Sequence, residues 1–251
     1  MSRKRVAVIG CAGKMGQTVC RYLLSHDDYT LAAGIDVTRV GDDVGEVIGF
    51  GVTGLKVASN LQTVLAEAKI DIAIDFTRPD TVVANTAICL QNKIPVLIGT
   101  TGISSEDAAK LENLANNMQS SVLIVPNFAI GAILMMEFAR KAAKYMPAAE
   151  IIELHHPQKL DRPSGTALKT RLGMLEEVGK AGADNADELI PIHSVRLPGL
   201  VAHQSVILGD IGQTLTIRHD SLNRDSFMPG IGLALQQLTS FTGLRIGLDL
   251  P

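Results

Sequence analysis

Arg5-Val6-Ala7-Val8-Ile9-Gly10-Cys11-Ala12-Gly13-Lys14-Met15-Gly16 is the stretch that decides the fold. Arg5 to Ile9 is an apolar run of buried-strand length, and glycines follow at once at positions 10, 13 and 16. Glycine lets the backbone turn tightly and approach a pyrophosphate. The helix predicted from about Lys14 to His26 aims its positive N-terminal end at the same place. Ala12 stands at the second glycine of the usual G-x-G-x-x-G order, so the pattern departs from it by one position.

The surrounding sequence strengthens this reading. A second strand, about Tyr29 to Ile35, ends at Asp36, twenty residues beyond Gly16 and placed to accept hydrogen bonds from an adenosine ribose. Such an acid favours NADH. Lys14 and Arg39 are close enough in sequence for one of them to meet a 2′-phosphate, so the cofactor is read as NADH or NADPH. The cofactor-binding candidates here are Gly10, Cys11, Ala12, Gly13, Lys14, Met15 and Asp36.

Beyond Asp36 the chain alternates apolar strands with helical patterns, giving Asp71 to Phe76, Ile94 to Ile98 and Ser121 to Val125. This alternation predicts an α/β fold, a Rossmann-like dinucleotide-binding domain with a parallel sheet. Loops at the carboxyl ends of such strands carry ligands. Here they read Phe76-Thr77-Arg78-Pro79, Gly99-Thr100-Thr101-Gly102 and Pro126-Asn127-Phe128, and each suits the nicotinamide side of a dinucleotide. Gly99, Thr100 and Thr101 supply backbone groups and hydroxyls without bulk, and Asn127 can hydrogen-bond a carboxamide.

After residue 190 the pattern changes to extended segments, about Ile192 to Arg196, Ala202 to Leu208 and Gln213 to His219, as in an antiparallel sheet. A helical pattern from about Asp225 to Thr242 then returns to the first unit. The expected organisation is a dinucleotide-binding domain, 1–127, completed by 220–251. An α+β substrate and oligomerisation domain with a mixed sheet, 128–219, is inserted in it.

Composition bounds the function. The 251 residues are 46% hydrophobic, enough for a sizeable core, and the formal charge of −3 with no long basic run argues against nucleic acid as a partner. Cys11, Cys20 and Cys89 are too few and scattered for a disulfide framework and form no metal-binding pair. Cys11 fills a tight turn and is assigned no chemistry of its own. No secretory leader is evident, and the apolar runs are far shorter than the ~20 residues that span a bilayer, so a cytoplasmic enzyme with no membrane partner is expected. Lys180 to Asp187 is expected to be a mobile surface loop.

The second informative stretch is Glu153-Leu154-His155-His156-Pro157-Gln158-Lys159-Leu160-Asp161-Arg162-Pro163-Ser164-Gly165-Thr166-Ala167. Two imidazoles titrate near neutral pH, and Lys159 can hold a carboxylate or give up a proton. Pro163 to Thr166 begins a helix predicted over Ala167 to about Lys180, whose first N–H groups bind anions. Taken singly, each feature also fits a polar loop and an ordinary helix cap. Together they imply a small acid as ligand.

The segments GCAGKMG, IDFTRP, IGTTG, PNFAIG, ELHHPQKLDRPSGTAL and IRHDSLNRDSFMPG make the chain similar to the dihydrodipicolinate reductase family along nearly its whole length. What the resemblance implies is reduction of 4-hydroxy-tetrahydrodipicolinate to tetrahydrodipicolinate in lysine and diaminopimelate biosynthesis, with NADH or NADPH, by a homotetramer assembled through the mixed sheets. It implies that His155 is an acid/base group and Lys159 a proton donor, either of which could complete the reduction, and that His156, Ser164, Gly165 and Thr166 bind substrate. On the cofactor side it selects Gly10 to Met15, Asp36, Gly99 to Thr101, and Val125, Pro126, Asn127 and Phe128. Arg162 stands where the family often has alanine, and Val37 follows Asp36 where some members carry an arginine. No metal is implied. A different dehydrogenase would share the nucleotide half, and a nucleotide sensor would lack the proton donors.

Overall fold

The computed structural model describes residues 3–250; Met1, Ser2 and Pro251 fall within the expected domain limits but lie outside the described residues. The chain divides into two compact units, Met1–Phe128 with Met228–Pro251, and Ala129–Phe227.

The first unit opens with β1 (Lys4–Ile9), α1 (Lys14–Ser25), β2 (Tyr29–Ile35), α2 (Val44–Val47), β3 (Val57–Ala58), α3 (Leu61–Glu67) and β4 (Ile72–Asp75). It continues through α4 (Pro79–Gln91), β5 (Val96–Ile98), α5 (Ser105–Met118) and β6 (Ser121–Ile124). The second unit comprises α6 (Ile130–Ala143), β7 (Ala148–His155), α7 (Gly165–Glu177), α8 (Ala186–Leu189), β8 (Ile192–Arg196), β9 (Ala202–Asp210), β10 (Gln213–Ser221) and a 3-10 turn over Arg224–Phe227. The chain regains the first unit with α9 (Met228–Gln237) and β11 (Gly243–Ile246).

All strand pairs of the first sheet are parallel, in the order β11-β6-β5-β4-β1-β2-β3. The order reverses between β1 and β4, and in open α/β sheets that reversal is where ligands bind. Val6, Ala7 and Val8 of β1 have no exposure, as expected for a central strand covered on both faces. Each fully buried valine contributes roughly 1.5–3 kcal/mol relative to an exposed one.

The second sheet runs β10-β9-β7-β8. Its β8 pairs parallel with β7, whereas β7, β9 and β10 are antiparallel neighbours. The expectation of an antiparallel run from Ile192 onward is therefore corrected: β7 lies between β8 and β9, so the segment joining those two strands crosses over instead of forming a hairpin. One face carries Ile151, Val206 and Leu208 against Met135 and Ala139 of α6 and Met174 of α7. Alternation puts Ile152, Leu154, Val195 and Ile207 on the opposite face, where each is only partly buried.

Two boundaries also move. The return to the first unit comes at Met228, not residue 220, because β10 extends to Ser221 and the 3-10 turn stays with the second unit. The helix predicted to reach Thr242 stops at Gln237, and Gly243–Ile246 forms a seventh strand beside β6. Within the segment expected to be a mobile loop, Ala186 begins the short α8.

Candidate active site

The glycine turn is held by contacts that leave no room for a side chain. Gly10 has φ +84, and a Cβ there would lie 2.8 Å from the Phe76 carbonyl oxygen, so both conformation and packing require glycine. At Gly16 a Cβ would come within 2.0 Å of the Gly10 carbonyl oxygen, which lets α1 start directly against the turn. Ala12 departs from the glycine pattern without strain because its φ is not positive, and it is partly exposed. Gly13 offers no side chain to cap α1, whose first turn also has no acidic residue. α4, α6 and α8 likewise lack a side-chain cap, whereas α2, α3, α5 and α7 are capped by Asp43, Asn60, Ser104 and Ser164; at α1 the uncapped start lies directly on the glycine turn. The amides opening α1 are thus suited to an external anion, a donor set that fits a dinucleotide pyrophosphate.

Asp36 directly follows β2, beside this turn. Its Oδ2 accepts the Ala12 N–H at 3.0 Å and its Oδ1 accepts from the Thr38 backbone and hydroxyl at 2.9 and 2.8 Å. Arg39 is paired with Asp42 at 2.5 Å, while Lys14 is exposed. Cys11 is fully buried, and burial pushes its thiol up to about 12, which keeps it inert at neutral pH.

The loops after β4 and β5 meet around a buried acid that the sequence alone does not single out. Asp75 is completely buried, and its Oδ1 accepts the Thr77 N–H at 2.8 Å, the Thr77 hydroxyl at 2.6 Å and the Thr100 hydroxyl at 3.3 Å. Its Oδ2 accepts from Asn85 at 2.9 Å. Burial raises its pKa despite these donors. One carboxylate so ties the Thr77 loop to the Gly99-Thr100-Thr101 loop. The Phe76 ring fills the space a Cβ at Gly99 would need, 2.0 Å away, and lies 5.8 Å from the Phe128 ring. Val125 N–H donates to the Ile98 carbonyl at 2.9 Å. Val125 and Phe128 are buried, so they position the loop after β6, where Pro126 is exposed; Thr101 is exposed in the loop after β5.

In the second unit, β7 delivers His155 and the following turn delivers Lys159. His155 Nδ1 is 2.5 Å from Glu153 Oε2. Glu153 has no exposure, and Arg196 of β8 grips both its oxygens at 2.7 Å. The same guanidinium donates to the carbonyls of Asp161 at 2.7 Å and Lys159 at 3.4 Å. Lys159 Nζ in turn lies 2.8 Å from Asp161 Oδ1. Burial depresses the His155 pKa, opposed by Glu153 and assisted by the Lys159 and Arg196 cations. Burial acts to raise Glu153, but hydrogen bonds from Arg196, Ser194 and His155 hold it below its ordinary value.

The start of α7 is partly committed internally. It begins at Gly165, two residues before the position expected, and the Ser164 Oγ accepts the Ala167 N–H at 3.2 Å. The Asp161 carboxyl is lowered first by its hydrogen bond from Lys159, with a further contribution from the Gly165 N–H. Ser164 is buried, Gly165 exposed and Thr166 half-buried. His156 Nδ1 is buried with no hydrogen-bond partner among the described residues. Arg162 is exposed.

His155, Lys159 and the Gly165 amide are therefore gathered by a single ionic framework of Glu153, Arg196 and Asp161, to which the sequence assigns no role. One signal was present. Glu153 alternates with Ile151 along β7, putting a carboxylate at a core-facing position that demands a buried partner.

The two halves of the chain each match a family model: residues 4–128 match dihydrodipicolinate reductase, N-terminus, and residues 131–247 match dihydrodipicolinate reductase, C-terminus. The chain belongs to the dihydrodipicolinate reductase family. It is 44% identical over 264 residues to 4-hydroxy-tetrahydrodipicolinate reductase from Desulfitobacterium hafniense, covering 99% of this chain and 98% of that one. The identity to the Listeria monocytogenes protein of the same name is 45% over 258 residues, covering 98% of each chain. Among solved structures, the dipicolinate-bound dihydrodipicolinate reductase from Paenisporosarcina sp. TG-14 aligns with a TM-score of 0.84 at 40% identity, covering 98% of each chain. Among the described residues no helix is long and apolar enough to cross a membrane, and no group of His, Cys, Asp and Glu could hold a metal.

Proposed function

We propose that the protein reduces 4-hydroxy-tetrahydrodipicolinate to tetrahydrodipicolinate with NADH or NADPH, a step of lysine and diaminopimelate biosynthesis. The observation that carries this reading is the convergence of His155, Lys159 and the start of α7 on one turn of the second unit. That arrangement suits a small dicarboxylate and supplies a proton beside it. The relative with dipicolinate bound supports the ligand class.

The first unit holds the nucleotide: the uncapped start of α1 takes the pyrophosphate, Asp36 the adenosine ribose, and the Thr77, Gly99 and Asn127 loops the nicotinamide end. The nicotinamide, when bound, supplies a hydride. In the second unit the Gly165 and Thr166 amides and the Ser164 hydroxyl take one substrate carboxylate, and Lys159 with His156 holds the other. Hydride addition to a conjugated ring leaves electron density on a neighbouring atom, and His155 or Lys159 delivers the proton there.

The half-buried apolar residues on the open face of the second sheet, Ile152, Leu154, Val195 and Ile207, suit pairing with other copies of the chain, and we assign a homotetramer in the cytoplasm. Sedimentation equilibrium checks the assembly. The activity is tested by supplying aspartate semialdehyde, pyruvate and the preceding synthase, then following oxidation of NADH and NADPH. Oxidation only when all three are present is expected. Absence of oxidation with either cofactor overturns the reading.

A further inference from the structure

We propose that Glu153 and Arg196 are positioning residues for proton delivery, fixing the His155 tautomer and the turn that carries Lys159. The inference rests on the reading that His155 and Lys159 move protons in this reaction.

The argument begins with donor and acceptor capacity. A carboxylate only accepts hydrogen bonds, so the 2.5 Å contact between Glu153 Oε2 and His155 Nδ1 places a proton on Nδ1. The ring must then exchange its working proton at Nε2. Protonated Nε2–H gives that proton to the reduced substrate, the ring returns to its neutral Nδ1–H form, and water restores the proton. The opposite tautomer would put a lone pair against the carboxylate.

Glu153 can serve this way only while ionised, and a carboxylate with no exposure does not stay ionised unaided. Arg196 supplies the compensation: its side chain is only 3% exposed and binds both carboxylate oxygens. Beyond a hydrogen bond to the neighbouring Val195 carbonyl at 2.8 Å, it donates to the Lys159 and Asp161 carbonyls and so fixes the backbone on either side of Leu160. One guanidinium thereby sets both candidate proton carriers. The charged groups facing His155 are Glu153 from β7, Arg196 from β8, and Lys159 from the turn.

These signs give a signature that loss of packing would not. Removing the anion in Glu153→Gln leaves two cations beside His155, so the limb of the pH profile that needs its protonated form moves to lower pH. Removing the guanidinium in Arg196→Gln lets buried Glu153 take up a proton, so the anion beside His155 is lost there as well, Lys159 remains, and the limb again moves to lower pH. In each variant kcat/KM is expected to fall by roughly 10- to 100-fold, the usual size for loss of a group that orients a functional ligand, with the NADH dissociation constant unchanged within about twofold. Arg196→Lys, which keeps the charge but not the two-pronged grip, is expected to restore the limb but not the rate.

The experiment measures kcat/KM against pH for the wild type and these variants, with NADH binding by fluorescence. Displacement of the limb to lower pH in both Gln variants, reversed in Arg196→Lys, supports the proposal; unchanged rates and limbs in folded variants overturn it. Where a variant fails to fold, 15N spectra of the wild-type imidazoles decide: a neutral His155 protonated on Nδ1 supports the proposal and one protonated on Nε2 overturns it. A wild type that turns over no dihydrodipicolinate substrate would defeat the functional reading instead, and the spectra would still report the tautomer.

Discussion

Lys159 Nζ lies 2.8 Å from Asp161 Oδ1, so the cation assigned to a substrate carboxylate is already paired with a carboxylate of the same turn. The Gly165 amide at the head of α7 leans on that same side chain. Asp161 therefore competes with any dicarboxylate for both groups. Its side chain is 55% exposed, so solvent screens the pair and each contact is modest. Asp161→Asn is expected to bind dipicolinate more tightly, by about 3- to 10-fold for an effect near 1 kcal/mol, while kcat falls because Lys159 is no longer held. Titration calorimetry at fixed salt checks the affinity. Weaker binding would mean that Asp161 organises the site without competing for it.

His155→Ala and Lys159→Ala are expected to keep nucleotide binding and lose turnover, on the order of 10²-fold or more for removal of a positioned proton donor. Both lie in the second unit, apart from the residues assigned to the nucleotide. Full activity in the folded double variant would end the assignment, and loss of NADH binding would show that the nucleotide site had been misplaced.

Asp75 makes a different test, because every group around its carboxylate is a donor. Asp75→Asn turns an amide NH2 toward one of them and strands a buried donor, at a cost of about 1–3 kcal/mol. It also loosens the tie between the Thr77 and Thr100 loops. We expect a lower Tm together with a weaker NADH dissociation constant. A lowered Tm with unchanged NADH affinity would leave Asp75 a purely structural residue.

What the sequence revealed and what it hid follow from the range of the interactions. The Gly10 turn was legible because its constraints are local: a left-handed backbone and a close contact that only glycine satisfies. Lys14 as the start of α1 and Asp36 as the residue after β2 follow from the same logic. The parallel pairing of β8 was hidden because its partner is β7, with α7 and α8 intervening, while the next strand in sequence is β9. Gly243–Ile246 carries no strand signal in the sequence because a four-residue strand has too few positions to show alternation, and its pairing with Ser121–Ile124 is non-local. Arg196 was invisible for a similar reason. Nothing near it in sequence indicates that its partner is Glu153, which alone of the pair announced itself as a charge on a core-facing position.

Acid should unfold the protein through its paired carboxylates. Backbone and side-chain donors of Thr53, with the amides of Gly54 and Gly45, hold Asp43 down to about 2, and Arg196 keeps Glu153 low against burial. Both have folded values below their unfolded ones. Their stabilisation is therefore complete above the ordinary carboxylate range and is lost as pH falls through it toward about 2. Asp75, raised by burial, has the opposite sign and gains stability on protonation. We expect Tm to decline below about pH 4.5, and Asp43→Asn to flatten that decline. A variant with an unchanged slope in calorimetry would remove Asp43 from the account.

On the nucleotide placement proposed above, cofactor choice rests on two charges of opposite sign, Asp36 and Lys14. Asp36 accepts the Ala12 N–H at 3.0 Å and so sits at the turn, where it can also take ribose hydroxyls but repels a 2′-phosphate. Arg39 is tied to Asp42, and exposed Lys14 is the cation left to offset that repulsion. Use of both cofactors, leaning to NADH, is expected. Asp36→Ala loosens the turn for both nucleotides alike, so only the change in their ratio reports the ribose contact. It should weaken NADH more than NADPH, and Lys14→Ala should do the reverse, each by roughly 1 to 3 kcal/mol for a charge-assisted hydrogen bond. The measurement is kcat/KM for both cofactors in both variants at one salt concentration, since exposed phosphate contacts are screened. If neither substitution moves the NADH to NADPH ratio, the adenosine ribose does not lie beside Asp36 and selection is made elsewhere.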